Sequence, residues 1–190
     1  MRILITGING NIGTVLRNAL TDSHDLYGLD EDGPFSDRVI SADIAEYGEV
    51  IRVVQQFSPV DAIIHLVGNP SVKASWEAVL HANIIGTRNI FEAAREFQVR
   101  RVVFASSNHV TGAYEGFAPN LYLHTQHEPI RPDSDYGVSK AFGKPWRAIT
   151  ARAGESRLSA CASAWCCQTM ILPETRIAER SGSVTATWCN

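Results

Sequence analysis

The chain has 190 residues, of which 45% are apolar and 19% charged, and this composition predicts one folded soluble domain and excludes a disordered chain. Its 17 basic and 20 acidic residues leave a formal charge of −3, which provides no basic surface for a nucleic acid. The sequence has no apolar run of about 18 residues, and its N-terminus, MRILITG, lacks the features of a signal peptide, so we expect a cytoplasmic protein without a membrane partner.

Short apolar runs alternate with longer helical periods from residue 2 to about residue 142, a pattern typical of βαβ units and a parallel sheet. The predicted strands lie at 2–6, 25–29, 38–41, 61–66 and 101–105. The predicted helices lie at about 11–21, 44–57 and 74–97, and from 136 to 142 onward. The fourth and fifth strands are continuously apolar, which indicates helices on both faces. The fold class is therefore α/β, with a doubly wound parallel sheet.

The long predicted helix at 74–97 carries its apolar residues in one broad stripe that we expect to face the sheet. The stripe consists of Val79, Ala82, Ile85, Ile90, Phe91 and Ala94. A second long segment, from about 113 to 135, is irregular and rich in Pro, Asn and His, and loops of that length are more often functional than idle.

The first strand runs directly into the segment TGINGNIG, which opens the first helix. Gly7 permits a tight turn, Gly10 lets backbone amides approach a pyrophosphate, and Gly13 lets the helix pack on the strand. This position between a strand and a helix favours dinucleotide binding over a merely structural turn. The predicted cofactor-binding residues of the segment are Gly7, Asn9, Gly10, Asn11, Ile12 and Gly13.

An acidic residue, Asp30, ends the second strand at the spacing expected of a ribose-binding carboxylate. Such a carboxylate bonds the 2′- and 3′-hydroxyls of NAD and repels the 2′-phosphate of NADP, and Glu31 and Asp32 follow with no adjacent arginine. We therefore expect NAD as the cofactor. Asp43 and Ile44 follow the third strand, where we expect them beside the adenine, and a helix N-cap role for Asp43 is the alternative.

Tyr136 and Lys140 are four residues apart in YGVSK, a spacing that places them on one helix face. A tyrosine phenol, with an ordinary pKa of about 10, is a poor base until a nearby cation favours its ionised form. Ser106 and Ser107 follow the fifth strand, where a hydroxyl is placed to bond the same substrate oxygen. A solvated helix face is the alternative interpretation of the YxxxK spacing.

These motifs in combination resemble those of the extended short-chain dehydrogenase/reductases, also called NAD-dependent epimerase/dehydratases. The resemblance covers residues 1 to about 142 and rests on TGxxGxxG, the acid after the second strand, HLVG, FASSNHVTG and YGVSK. It implies a Rossmann-type sheet that binds NAD. Within the family, FASSNH and RPDSDYGVSKAFG are most similar to the NAD-dependent sugar C1 dehydrogenases, a group that includes the uronate dehydrogenases.

By position, the resemblance implies that Tyr136 is the general base and that Lys140 assists it and binds the nicotinamide ribose. It also implies that Ser107 is the catalytic serine and that Asn83 supports the lysine. The implied cofactor contacts after the fourth strand are Leu66, Val67 and Gly68, and the implied substrate contacts are Ser106, Ser107, Asn108 and His109. A structural role for His109 is an open alternative, and for His65, His124 and His127 structural or solvated positions are favoured.

The activity that the resemblance implies is oxidation of the C1 hydroxyl of a small sugar or sugar acid, a hexuronate or an aldose, to a lactone. Two alternatives stay open: a nucleotide-sugar epimerase or dehydratase that retains its NAD, and a non-catalytic NAD-binding protein. Members of the family are often homo-oligomers. We expect no metal site.

The composition of the chain changes near residue 143, after which four cysteines and three of the four tryptophans are concentrated. Cys161, Cys166, Cys167 and Cys189 form no CxxC pair and predict neither a disulfide framework nor a zinc site.

Pro145 is expected to break the YxxxK helix within its third turn. We therefore predict an NAD-binding domain with the catalytic motif at 1–142, and an aberrant tail at 143–190 in place of the last strands and the substrate lobe. Catalysis needs the sugar within about 3–3.5 Å of the reacting groups, and the substrate lobe that would hold it there is replaced by this tail. We therefore expect the 190-residue chain to be inactive or nearly so.

A single-base deletion near the Gly143 codon explains this tail, and natural divergence is the alternative. Starting each codon one base earlier permits family-like peptides such as EALARYY from residue 144, RLGVVLPDDDP at 161–171 and DRDLVQ at 184–189. The nucleotide sequence of the gene tests the prediction: we expect an uninterrupted family-like reading in that frame, which continues past the present stop. A frame closed by stop codons would show instead that the tail is a genuine segment.

Overall fold

The computed structural model describes residues 1–115, 129–143 and 145, and the backbone of 157–161. Six strands form one parallel sheet in the order β3-β2-β1-β4-β5-β6. They are β1 (Arg2–Thr6), β2 (Asp25–Asp30), β3 (Val39–Ser41), β4 (Ala62–His65), β5 (Arg101–Ala105) and β6 (Arg157–Cys161). The direction of strand addition reverses between β1 and β4, and ligands of such sheets bind beyond the carboxyl ends of the strands at this point. The predicted Rossmann-type, doubly wound sheet is confirmed.

Helices connect the strands and cover both faces of the sheet. They are α1 (Asn11–Leu20), α2 (Tyr47–Phe57), α3 (Trp76–Ala78), a π-helical segment (Val79–Ile85), α4 (Gly86–Glu96) and α5 (Asp135–Phe142). Two short 3₁₀ turns, Asn108–Val110 and Gly112–Tyr114, follow β5. Among the described residues, no helix is both long and apolar enough to cross a membrane.

Alternate residues of β1 enter two different cores, as expected for a strand that is covered on both faces. Ile3 and Ile5 pack in one core with Leu16 of α1. Leu4 packs in the other core, with residues of α2 and α4 that include the fully buried Phe91. The sheet is therefore held rigidly between its helices, and its carboxyl edge is a stable platform for functional side chains.

The π-helical segment is the main departure from the predicted helix at 74–97. Within the segment, each residue turns through a smaller angle about the helix axis than in an ideal α-helix. Ile85, which we placed in the buried stripe, is consequently 36% exposed, whereas Val79, Ile90, Phe91 and Ala94 are buried as predicted. The prediction for Ile85 was wrong because a period of 3.6 residues does not hold through this segment.

Strand β6 lies in the tail and was not predicted. It pairs in parallel with β5 along its whole length, from Arg101 opposite Arg157 to Ala105 opposite Cys161. Its sequence, RLSAC, has no β-branched or aromatic residue, so propensity gives no signal for a strand. Pairing with the open edge of β5 provides the hydrogen bonds that make this segment a strand.

We predict that Gly13→Ala lowers the free energy of unfolding by about 1–3 kcal/mol, because a Cβ there would overlap the Gly7 carbonyl oxygen and lie 2.7 Å from the Ile8 backbone. Gly48→Ala in α2 is the matched control, since nothing lies within 4 Å of its Cβ, and it is expected to stabilise the helix by about 0.5–1 kcal/mol. Denaturant unfolding followed by circular dichroism measures both. Equal stability of the two variants would contradict the close packing at Gly13.

Candidate cofactor and active site

The glycine-rich loop between β1 and α1 leaves a helix N-terminus open to an anion. Gly7 has a φ of 73°, a conformation that favours glycine, and its amide donates to the Leu29 carbonyl over 2.8 Å. Gly10 is the N-cap of α1, and among the described side chains none caps the helix and none in its first turn is acidic. The amides of this turn and the helix dipole therefore suit a phosphate group.

Asp30, at the end of β2, is fixed against the same loop. Its Oδ2 accepts a hydrogen bond from the Asn9 amide over 2.8 Å, and its Oδ1 accepts from the Asp32 amide over 3.4 Å. Partial burial and the neighbouring carboxylates of Asp43 and Asp32 raise the pKa of Glu31, so several acidic groups lie close together at this corner. The arrangement suits a ligand that offers hydroxyl donors and disfavours one that carries a phosphate here.

Asp43 does not cap α2, because that helix begins at Tyr47 and Glu46 occupies the N-cap position. The N-cap alternative is therefore wrong. The Asp43 Oδ1 accepts from the Ala45 amide over 2.8 Å, and Asp43, Glu46 and His81 bring three possible ligand atoms within 4.8 Å of one another. The Ile44 side chain is 1% exposed and packs in the core. That Asp43 and Ile44 lie beside an adenine stays a prediction.

His65, at the end of β4, is a fully buried structural residue. The Thr6 hydroxyl oxygen accepts from the amides of Leu66 and Val67 over 3.1 and 3.3 Å. Its own proton is then free for His65 Nδ1, 2.7 Å away, and His65 Nε2 donates to Thr87 over 3.1 Å. Burial and the nearby Lys140 lower the pKa of His65 to about 3. The neutral imidazole thus fixes the backbone that leads into Leu66, Val67 and Gly68, and the prediction of a buried strand end is confirmed.

Lys140 carries its amine into an apolar pocket. The side chain is 5% exposed, and its Nζ lies 5.2 Å from the Phe104 ring centroid and 5.8 Å from the Tyr136 ring centroid. A Cβ on Gly68 would lie 3.1 Å from Nζ, so the glycine leaves space for it. Burial lowers the pKa of Lys140 to about 8, and no carboxylate in the described part of the chain forms an ion pair with it. This ammonium suits an electron-rich oxygen as its partner.

Asn83 holds the helix that carries Tyr136 and Lys140. It lies in the π-helical segment, 1% exposed, and its Nδ2 donates to Ser139 Oγ over 2.9 Å and to the Asn69 carbonyl over 3.1 Å. Ser139 Oγ in turn donates to the Tyr136 carbonyl over 2.7 Å. We did not predict Ser139 or Asn69, although a serine three residues after Tyr136 is placed to bond its carbonyl. π-Helical turns are frequent at functional sites.

The residues after β5 bring a serine, a histidine and the tyrosine to one edge of the sheet. Ser107 Oγ donates to Asn108 Oδ1 over 3.3 Å and accepts from the His109 amide over 3.2 Å. The Ser106 hydroxyl is buried and has no hydrogen-bond partner among the described residues. The His109 ring lies edge-on to the Tyr136 ring, with centroids 5.6 Å apart. His124 and His127 lie outside the described residues.

The chain is similar to known NAD-dependent enzymes. A profile of the NAD dependent epimerase/dehydratase family matches residues 3–163. Uronate dehydrogenase from Pseudomonas syringae pathovar tomato is 40% identical over 149 residues, 75% of this chain and 51% of the relative. L-arabinose 1-dehydrogenase (NAD(P)+) from Haloferax volcanii is 35% identical over 154 residues, 75% of this chain and 58% of the relative.

A solved structure shows the same relation. The crystal structure of a uronate dehydrogenase mutant from Agrobacterium tumefaciens, complexed with NAD, has a TM-score of 0.71 and 33% identity. The match covers 83% of this chain and 58% of that chain. The chain therefore spans between 51% and 58% of the length of these relatives.

The burial of His65 predicts a pH-dependent stability. Its pKa is about 3 when folded and about 6.5 when unfolded, so between these values the unfolded state binds more protons. Stability contributed by the neutral imidazole is therefore present above about pH 6.5 and is lost as the pH falls, by up to about 1.4 kcal/mol per pH unit. Urea unfolding from about pH 7 to about pH 5 measures this slope.

Two histidine variants test the assignment of that slope to His65. His65→Asn is expected to be less stable but to have a flatter pH dependence, because it removes the titrating group. His81→Asn is the matched control, since the half-exposed His81 makes no contact with the Thr6–His65–Thr87 cluster and its removal leaves the His65 contribution to the slope in place. A parental slope in His65→Asn would overturn the assignment.

Proposed function

Because the chain belongs to the NAD dependent epimerase/dehydratase family, we propose that its described residues form the cofactor-binding and proton-transfer part of an NAD-dependent sugar dehydrogenase. The reaction is oxidation of the C1 hydroxyl of a hexuronate or an aldose to a lactone. Two relatives, a uronate dehydrogenase and an L-arabinose 1-dehydrogenase, are named for reactions of this class. The observation that carries the proposal is the buried Lys140 ammonium beside the Tyr136 ring.

NAD fits the residues at the carboxyl edge of the sheet. The open N-terminus of α1 would receive the pyrophosphate, and Asp30 would accept hydrogen bonds from the hydroxyls of the adenosine ribose. The acidic groups around Asp30 would disfavour the extra phosphate of NADP. Gly68 and Lys140, which lie against each other, would hold the nicotinamide ribose. When bound, NAD supplies the acceptor for a hydride.

The remaining chemistry is proton transfer by residues of this chain. Tyr136 takes the proton of the C1 hydroxyl as the hydrogen on that carbon leaves with its electron pair. The Lys140 ammonium stabilises the phenolate as it forms. Ser107 donates to the same substrate oxygen, for which its hydroxyl must leave the 3.3 Å bond to Asn108 Oδ1. That bond is long, and exchanging it for a bond to the substrate costs little.

Asn108, His109 and the unpartnered Ser106 hydroxyl complete the substrate side of the proposed site. All three follow β5, and His109 touches the ring of the proposed base. A sugar presents several hydroxyl groups, each of them a donor and an acceptor, so amide, imidazole and hydroxyl groups are suitable partners. The proposed site therefore offers both hydrogen-bond donors and hydrogen-bond acceptors near Tyr136.

We predict that Tyr136→Phe lowers the rate of NADH formation by about 10²–10⁴-fold and leaves NAD affinity unchanged, because only the proton acceptor is removed. The assay uses a frame-restored chain, in which the base predicted to be deleted near the Gly143 codon is put back into the gene. The substrates are galacturonate, glucuronate and a panel of aldoses, and NADH absorbance is the readout. Tyr47→Phe is the matched control, since that hydroxyl bonds Glu96 in another part of the fold. Equal loss of NAD binding and turnover in Tyr136→Phe would show a structural role for the tyrosine.

The same assay separates the alternatives. Net NADH formation identifies a dehydrogenase, and interconversion of nucleotide sugars without net NADH identifies an epimerase. NAD binding with neither reaction identifies a non-catalytic binding protein. We expect the 190-residue chain to bind NAD with little or no turnover, and robust sugar-dependent NADH formation by that chain would show that its tail is functional.

A further inference from the structure

His109 forms a short hydrogen bond with a residue that sequence reasoning did not single out. Its Nδ1 lies 2.6 Å from Asp133 Oδ2, and the other carboxylate oxygen accepts from the Ser134 hydroxyl over 2.7 Å. Burial alone raises the pKa of Asp133, but the hydrogen bonds from His109 and Ser134 outweigh it and bring the pKa below its ordinary value. An ionised carboxylate only accepts hydrogen bonds, so the proton of this bond belongs to His109 Nδ1.

The backbone around this pair is built to hold it. The Arg131 amide donates to the Val110 carbonyl over 3.0 Å, and the Asp133 amide donates to the His109 carbonyl over 3.4 Å. Two glycines leave the necessary space, since a Cβ on Gly112 would overlap the Asp133 carboxylate and a Cβ on Gly137 would overlap the His109 carbonyl. The pair is therefore fixed by two segments joined through their main chains, unlike a chance contact of surface side chains.

His109 lies between two residues of the proposed catalytic set. Its amide donates to Ser107 Oγ over 3.2 Å, and its ring meets the Tyr136 ring at an angle of 68°. Within the described part of the chain, its second ring nitrogen, Nε2, has no hydrogen-bond partner. With the proton fixed on Nδ1, Nε2 of the neutral ring is a hydrogen-bond acceptor.

We propose that Asp133 is a positioning residue that fixes His109 as the Nδ1–H tautomer, so that Nε2 accepts a hydrogen bond from a hydroxyl of the sugar beside Tyr136. The identity of the ligand as a sugar rests on the proposed function. The tautomer of the imidazole follows from its hydrogen bond with Asp133 and does not depend on the identity of the ligand. Without the carboxylate, the imidazole is free to carry its proton on Nε2. Nε2 would then be a donor and could no longer accept the hydrogen bond from the sugar hydroxyl.

Imidazole nitrogen NMR of the 190-residue chain tests the positioning without any need for turnover. We expect the neutral His109 ring to be a single Nδ1–H tautomer in the parent and a mixture of tautomers in Asp133→Asn. Asp135→Asn is the matched control, since this acid lies two residues away in the first turn of α5 and is expected to leave the tautomer unchanged. A spectrum of the parent in which Nε2 carries the proton, alone or together with Nδ1, would overturn the proposal.

Kinetics of the frame-restored chain test the consequence for the substrate. Asp133→Asn is expected to raise KM for the sugar about tenfold, the loss of one hydrogen bond, with a smaller change in kcat and an unchanged KM for NAD. An unchanged KM for the sugar would overturn the role in substrate binding. If the parent oxidises no sugar, the proposed function fails, and the NMR measurement still decides the role of Asp133.

Discussion

Burial of the Lys140 ammonium, with no counter-charge among the described residues, is the constraint on which this site depends. Desolvation disfavours the charged form, and the contacts described for Nζ are with the rings of Phe104 and Tyr136. The fold maintains this unfavourable arrangement by fixing α5 at both ends. Ser134 caps its first turn, and Gly143 ends it against the Phe104 ring, where a Cβ would not fit. An oxygen ligand or a phenolate that forms beside the ammonium would offset this desolvation free energy.

The π-helical segment transmits that constraint to the rest of the molecule. Asn83 lies in it and bonds both Ser139, next to Lys140, and Asn69, which follows Gly68 in the loop after β4. One amide side chain therefore ties α5 to the loop that follows β4. This geometry leaves the Ile85 side chain exposed, so an apolar group that an α-helical turn would bury stays outside the core.

Local signals predicted most of the fold and drew attention to several polar residues that the fold places at the carboxyl edge of the sheet. The glycines of the first loop, Asp30 at a strand end and the four-residue spacing of Tyr136 and Lys140 are each visible within a few residues of sequence. Contacts across long separations were not visible. Asp133 and His109 are 24 residues apart and Asn83 and Ser139 are 56 apart, and no periodicity links them. Strand β6 was missed for a related reason, because the edge of β5 specifies it more than its own residues do.

A continuous set of contacts joins the end of β1, which leads into the glycine-rich loop, to Lys140. Thr6 ends β1 and bonds His65, the His65 ring packs on Phe104 with centroids 5.8 Å apart, and Lys140 Nζ lies 5.2 Å from the Phe104 centroid. The charge on Lys140 lowers the pKa of His65 beyond the effect of burial. With a pKa of about 3, the imidazole is neutral near neutral pH. A neutral buried histidine permits a charged lysine nearby, and that charge in turn excludes a second proton from the histidine.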